Sequence, residues 1–153
     1  MAKTPARMHI FSYGGHTAEY DALLLATVPK YLIDNTAHSF WGEYTGNYSS
    51  PALLQNVQGM KDAGMIVIGY TTGAYEGSFS GGPNDKPYLF TVEAVKQQIY
   101  NMIVLDGCDG VFIDECSPYP AAGSQKRQYL KALADYAHSL GGLIWFNVGM
   151  NDC

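Results

Sequence analysis

Gly110-Val111-Phe112-Ile113-Asp114 is a short apolar run that begins with a glycine and ends with a carboxylate. Four other runs in the chain have the same character, namely MHIFSY at 8–13, YLID at 31–34, MIVIGY at 65–70 and LIWFN at 143–147. Each run is almost continuously apolar, which is typical of strands that are covered on both faces. The sequence therefore predicts five buried β-strands.

Helical patterns separate these runs, at residues 18–26, 51–63, 91–105 and 124–140. Pro51 suits the first position of its helix, Thr91 suits an N-cap, and Gly64 and the pair Gly141-Gly142 suit helix ends. The elements alternate from strand to helix throughout. This order predicts parallel strands that are joined by right-handed crossovers.

Two α/β architectures accommodate five such strands in a single domain over residues 1–153. One is a TIM-type (β/α)₈ barrel, of which this chain supplies five strands and another chain or further sequence supplies the rest. The alternative is a flavodoxin-like, doubly wound five-stranded sheet. The two differ in strand order, because a doubly wound sheet reverses its direction of winding.

Composition argues against several classes of protein. Only 15% of the residues are charged and the formal net charge is −5, so the chain lacks the basic footprint of a nucleic-acid partner. No apolar run approaches the roughly 20 residues of a membrane span. The N-terminal residues carry positive charge but no apolar segment follows them, so we expect a cytoplasmic protein, or a secreted one whose leader has been removed. The odd number of cysteines is not typical of a disulfide framework, and Cys108 and Cys116, which flank a predicted strand, cannot bridge without breaking it.

Polar residues collect where the apolar runs stop, which is the edge at which both architectures bind ligands. We predict substrate-binding residues there and in the following loop; they are Tyr13, Asp34, Asn35, Trp41, Tyr70 and Asn147. Trp41 suits stacking on a sugar ring, although covering the rim of the sheet is an equal interpretation. The four histidines lack metal-ligand spacing, so we predict no metal and no cofactor.

Asp114 and Glu115 are the predicted catalytic pair, one as a general acid and the other in a charged role. Because successive strand residues point to opposite faces, we expect at most one of them to face the mouth of a barrel directly. Retaining glycosidases need two carboxyl groups about 5–5.5 Å apart, and inverting ones need them roughly 6.5–9.5 Å apart. Adjacent residues on opposite faces suit this poorly, so Asp34, Glu43 and Asp152 are alternative partners.

Three segments resemble a known family: DGCDGVFIDECS at 106–117, GGLIWFNVG at 141–149 and MKDAGMIVIGYTTGAYEG at 60–77. They are similar to segments of the spherulin-4-like proteins and of the neighbouring endo-α-1,4-polygalactosaminidase-type glycoside hydrolases. The resemblance implies a (β/α)₈ barrel that acts on a carbohydrate polymer. It assigns Asp114 as the catalytic carboxylate, Glu115 as the second acidic position, and Tyr70 and Asn147 as the residues that end the third and fifth strands. Val148 departs from the family, which has proline there, and the family continues through strands six to eight.

Three functions follow from these patterns. The first is a glycoside hydrolase-like module that acts on or binds a polysaccharide. The second is a non-catalytic carbohydrate-binding or self-assembling structural protein, which favours a homo-oligomer. The third is a flavodoxin-like binder, suggested by the loop SYGGHT at 12–17, which matches no established phosphate-binding pattern.

Overall fold

The computed structural model describes residues 9–12, 31–34, 51–73, 91–116 and 122–148. The strands are β1 His9–Ser12, β2 Tyr31–Asp34, β3 Ile66–Thr72, β4 Gly110–Cys116 and β5 Leu143–Val148. The helices are α1 Pro51–Asp62, α2 Val92–Tyr100, a π-helical turn Asn101–Leu105 that continues α2, and α3 Gln125–Ser139. The five predicted strands and these three predicted helices are confirmed. The helix predicted at 18–26 lies outside the described residues.

The described strands form one parallel sheet in the order β1-β2-β3-β4-β5. Each strand pairs with the next strand along the chain, so the winding never reverses. A flavodoxin-like sheet needs such a reversal, because helices must cover both of its faces. That alternative is therefore wrong, and the sheet has the singly wound order in which successive β/α units follow one another.

Side-chain caps begin two of the helices, and the sequence indicated the first of them, Thr91. The Thr91 side chain accepts a hydrogen bond from Ala94 N at 3.2 Å, and the Ser124 side chain caps α3 in the same way. The predicted 91–105 helix is continuous but changes character at Asn101, where it widens into the π-helical turn. Asp106 N donates to Asn101 O at 2.8 Å across that wider turn. Local widening of this kind accommodates one extra residue within a helix.

One face of the sheet packs on the helices. The buried side chains on this face include Val67, Val111 and Ile113, which join residues of α1, α2 and α3 in one hydrophobic core. Thr71 is buried on the same face, where it bonds Gln98 of α2. Gly69 lies directly against Met102: an added Cβ there would lie 2.5 Å from Sδ and 2.9 Å from Cγ of that residue. Close packing of this strand against the π-helical turn therefore requires a residue without a side chain.

The opposite face carries a second, smaller apolar cluster. Ile68 and Phe112 are buried there, and Ile66, Tyr70 and Trp145 pack against them. Trp145 pairs in register with Phe112, and Phe112 with Tyr70, so three aromatic residues lie side by side on neighbouring strands. The sheet is thus apolar on both faces, as the uninterrupted apolar runs predict.

Two further observations bear on the class of protein. Cys108 and Cys116 are both buried and form no disulfide with each other, so the prediction that they do not bridge is confirmed. In the portions of the chain that the structure describes, no helix has the length and apolar character needed to cross a bilayer.

Candidate active site

Asp114 is the centre of a hydrogen-bonded group at the carboxyl ends of β3, β4 and β5. Its Oδ2 accepts a hydrogen bond of 2.6 Å from the hydroxyl of Tyr70 on β3. Its Oδ1 accepts one of 2.8 Å from Nδ2 of Asn147 on β5 and another of 2.8 Å from the backbone N of Glu115. Both carboxylate oxygens are therefore held, and the two flanking strands each contribute one donor.

A β-bulge interrupts β4 at this point. Ile113 pairs with Phe146 and Cys116 pairs with Val148, so Asp114 and Glu115 together lie opposite Asn147. Glu115 adopts φ = +53°, in the left-handed region. A bulge of this kind inserts one residue into a strand and redirects its side chain. Beyond the bulge the normal alternation resumes, and Cys116 returns to the helix-facing core with Ile113.

The bulge brings both carboxylates to the same face of the sheet. Oε2 of Glu115 accepts a hydrogen bond of 2.6 Å from Oγ1 of Thr72. Tyr70 and Thr72 are two residues apart on β3, so their side chains share a face. Because Tyr70 contacts Asp114 and Thr72 contacts Glu115, the two acidic side chains share that face as well. The expectation that adjacent carboxylates point to opposite faces is therefore wrong, since it assumed a regular strand.

An aromatic layer lies beneath these polar groups. The rings of Tyr70 and Phe112 stack with centroids 5.8 Å apart and planes at 17°. Trp145 packs in the same cluster and lies in register with Phe112. The site thus has an apolar floor and a rim of hydrogen-bonding groups, a combination that suits ligands with both apolar faces and hydroxyl groups.

The chemistry available at this site is that of hydrogen-bond acceptance and proton transfer. An ionised carboxylate offers about four acceptor positions, and three of those on Asp114 are filled by protein donors. Asp114 and Glu115 are both partly exposed and Asn147 is exposed, so a ligand can reach all three. Within the described ranges, no three side chains of His, Cys, Asp or Glu come together as metal ligands.

The structure brings together four of the residues that the sequence singled out: Asp114, Glu115, Tyr70 and Asn147. Asp34 ends β2, where its backbone pairs with Gly69, and its side chain is not among those described. The other predicted site residues and alternative acidic partners lie outside the described residues; they are Tyr13, Asn35, Trp41, Glu43 and Asp152. Thr72 was missing from the predicted site, although its spacing of two from Tyr70 was a signal for it.

The comparisons with known proteins support the fold. No family model matches the chain, and no curated protein matches it. The structure is similar to the crystal structure of the C-terminal domain of a "putative chitinase" from Desulfitobacterium hafniense DCB-2, with a TM-score of 0.54 and 18% sequence identity. The alignment covers 92% of this chain and 45% of that chain, so this chain spans less than half of its neighbour's length. At this identity the likeness shows a shared α/β fold, and the resemblance to spherulin-4-like proteins rests on the sequence motifs alone.

Proposed function

We propose that the chain is a glycoside hydrolase-like module that binds and cleaves a polysaccharide at the carboxyl ends of its strands. The observation that carries this proposal is the pair of carboxylates on one face, with Asp114 held by Tyr70 and Asn147 above an aromatic layer. The singly wound parallel sheet supports a further step, in which these five β/α units are part of a TIM-type barrel. The neighbour's description as a chitinase domain is in keeping with a carbohydrate ligand.

The hydrogen bonds suggest how the two carboxylates divide the work. Asp114 accepts three protein donors, so its carboxylate is held in a fixed position, as preorganised electrostatic stabilisation requires. Asp114 therefore suits the charged role beside a developing oxocarbenium ion. Glu115 accepts a single side-chain bond, from Thr72, and keeps acceptor capacity for a leaving-group oxygen or a water molecule. We assign proton transfer to Glu115.

Charge along the sequence narrows the class of polymer. Acidic residues outnumber basic ones in the two connections that follow β2 and β3, and further carboxylates lie at or near the carboxyl ends of β2 and β4. These acidic residues are Asp34, Glu43, Glu76, Asp85, Asp114 and Glu115, against a single basic residue, Lys86. They account for the whole formal net charge of −5, since the rest of the chain is balanced. The paired carboxylates of Asp114 and Glu115 at this edge would repel an acidic polysaccharide, so we expect a neutral or basic polymer as the substrate.

Binding without cleavage is the second candidate, and the same geometry motivates it. Three protein donors already satisfy most of the acceptor capacity of Asp114, which suits a fixed anchor for sugar hydroxyl or amino groups. Under this alternative the module recognises the polymer and leaves it intact. Assembly into homo-oligomers stays a prediction from the sequence.

The deciding experiment compares Asp114→Asn with the wild type on neutral and amino-sugar polymers. Release of reducing ends measures cleavage, and affinity electrophoresis measures binding. We expect Asp114→Asn to lower cleavage by about 10²–10⁴-fold, the usual range for a lost acid–base or charged group. Asp135→Asn is the matched control, because Asp135 makes only an exposed contact with Lys131 on α3. Full cleavage by Asp114→Asn would eliminate the hydrolase, and binding without any cleavage by the wild type would select the second candidate.

A further inference from the structure

We infer that Thr72 is a positioning residue, whose hydroxyl holds the Glu115 carboxylate on the face that carries Asp114. This inference rests on the proposed function for its meaning, because it assigns a role within the same site. Its structural content is separate: one buried hydroxyl on β3 sets the direction of a side chain that the bulge on β4 has redirected.

The hydroxyl of Thr72 is placed to donate a hydrogen bond to the Glu115 carboxylate. The residue is only 5% exposed, at the end of β3. Its Oγ1 lies 2.6 Å from Oε2 of Glu115 and 3.4 Å from the backbone oxygen of Asp114. A hydroxyl carries one proton, and the shorter contact to a carboxylate is the stronger hydrogen bond. Glu115 is therefore the partner that Thr72 orients.

The backbone around Thr72 is fixed on both sides. Gly73 N donates to the backbone oxygen of Asp114 at 2.8 Å, which ties the end of β3 to the first residue of the bulge. On the other side, the hydroxyl of Thr71 donates to Oε1 of the buried Gln98 on α2. Thr71 and Thr72 thus point to opposite faces of one strand, one toward the helices and one toward the site.

Glu115 needs such a tie because the bulge alone fixes only its backbone. A free glutamate side chain samples many rotamers, and restricting it to a few of them costs conformational entropy. Its φ of +53° also excludes the regular strand geometry that would pack the side chain between its neighbours. The hydrogen bond from Thr72 selects the rotamers in which the carboxylate lies on the site face.

The test uses three variants of the full chain. Thr72→Val keeps the shape and removes the donor, Thr72→Ser restores the donor, and Thr71→Val makes the same chemical change on the other face. On a polymer that the wild type cleaves, we expect Thr72→Val to lower kcat by about 10–100-fold with KM little changed, because the proton-transfer group is misplaced. We expect Thr72→Ser to recover most of that loss, and Thr71→Val to keep the wild-type kcat at temperatures where it is folded. Wild-type kcat in Thr72→Val would overturn the inference.

A second measurement tests the tie without any substrate. Thr72→Val and Glu115→Ala, singly and together, form a double-mutant cycle on the unfolding equilibrium constant in urea. If Thr72 holds Glu115, the two changes are coupled by about three- to tenfold, so the double variant is more stable than the sum of the single effects allows. Additive effects would overturn the inference even if the protein cleaves a polysaccharide. Coupling in a protein that neither cleaves nor binds any polymer would support the tie and refute the proposed function.

Discussion

Because the backbone at Glu115 is left-handed, we predict that glycine gives a more stable protein than alanine at this position. In regular strands and helices the order is the reverse. Glu115→Ala and Glu115→Gly both remove the side chain and its bond to Thr72, so they differ only in backbone preference. At φ = +53° a residue with a Cβ is strained by about 1–2 kcal/mol, which glycine avoids. Glycine loses about 0.5–1 kcal/mol through the greater freedom of its unfolded chain. We therefore expect Glu115→Gly to be more stable than Glu115→Ala by about 1 kcal/mol.

Urea denaturation followed by circular dichroism measures this difference. With a slope of about 1–3 kcal/mol/M, the midpoint of the glycine variant should lie roughly 0.3–1 M above that of the alanine variant. Ala134, within α3, is the control position, because there we expect glycine to be less stable than alanine. There Ala134→Gly should cost about 1 kcal/mol, as expected in a helix. If Glu115→Ala proves more stable than Glu115→Gly, the left-handed backbone at Glu115 and the bulge geometry are wrong.

Three further predictions concern other parts of the sheet. Gly110→Ala should destabilise the protein by about 1–3 kcal/mol or more in urea denaturation, because an added Cβ would press on the backbone and Cβ of Leu143; a wild-type midpoint would contradict the close pairing of β4 with β5. Asn147→Ala should cost at most about 1 kcal/mol of stability, since the residue is exposed, yet weaken polymer binding or cleavage through the loss of a donor to Asp114; unchanged binding and cleavage would remove it from the site. Lys61→Met breaks a partly exposed ion pair at the opposite end of the sheet and should cost about 0–1 kcal/mol, less at high salt, with no change in function.

Much of the fold could be predicted from local pattern alone. Short apolar runs identified the strands, because buried parallel strands have no polar face to interrupt them. Thr91 and Gly64 marked helix ends through capping and through a left-handed turn, which glycine adopts at φ = +88°. The order of the strands in the sheet was open between two architectures, since strand order depends on how the helices pack and not on any single segment.

The site was predictable to the extent that it follows regular geometry. Tyr70, Asp114 and Asn147 lie near the carboxyl ends of neighbouring strands, and parallel strands bring such residues to one edge. The bulge was not predictable, because glutamate has no preference for positive φ and no glycine or asparagine marks the position. With the bulge unseen, strand alternation put the two adjacent carboxylates on opposite faces, and Thr72 was not among the predicted site residues.

The bulge also implies how a second acidic group can be gained without disturbing its surroundings. A regular strand would present one carboxylate between Ile113 and Cys116, and both of those residues already pack in the helix-facing core. One inserted residue adds Glu115 and leaves the neighbouring side chains on the same faces of the sheet, because pairing resumes between Cys116 and Val148. Relatives with and without this residue would therefore differ in the number of acidic groups at the site while keeping the same core. In their sequences the difference would be seen as an inserted residue and not as a substitution.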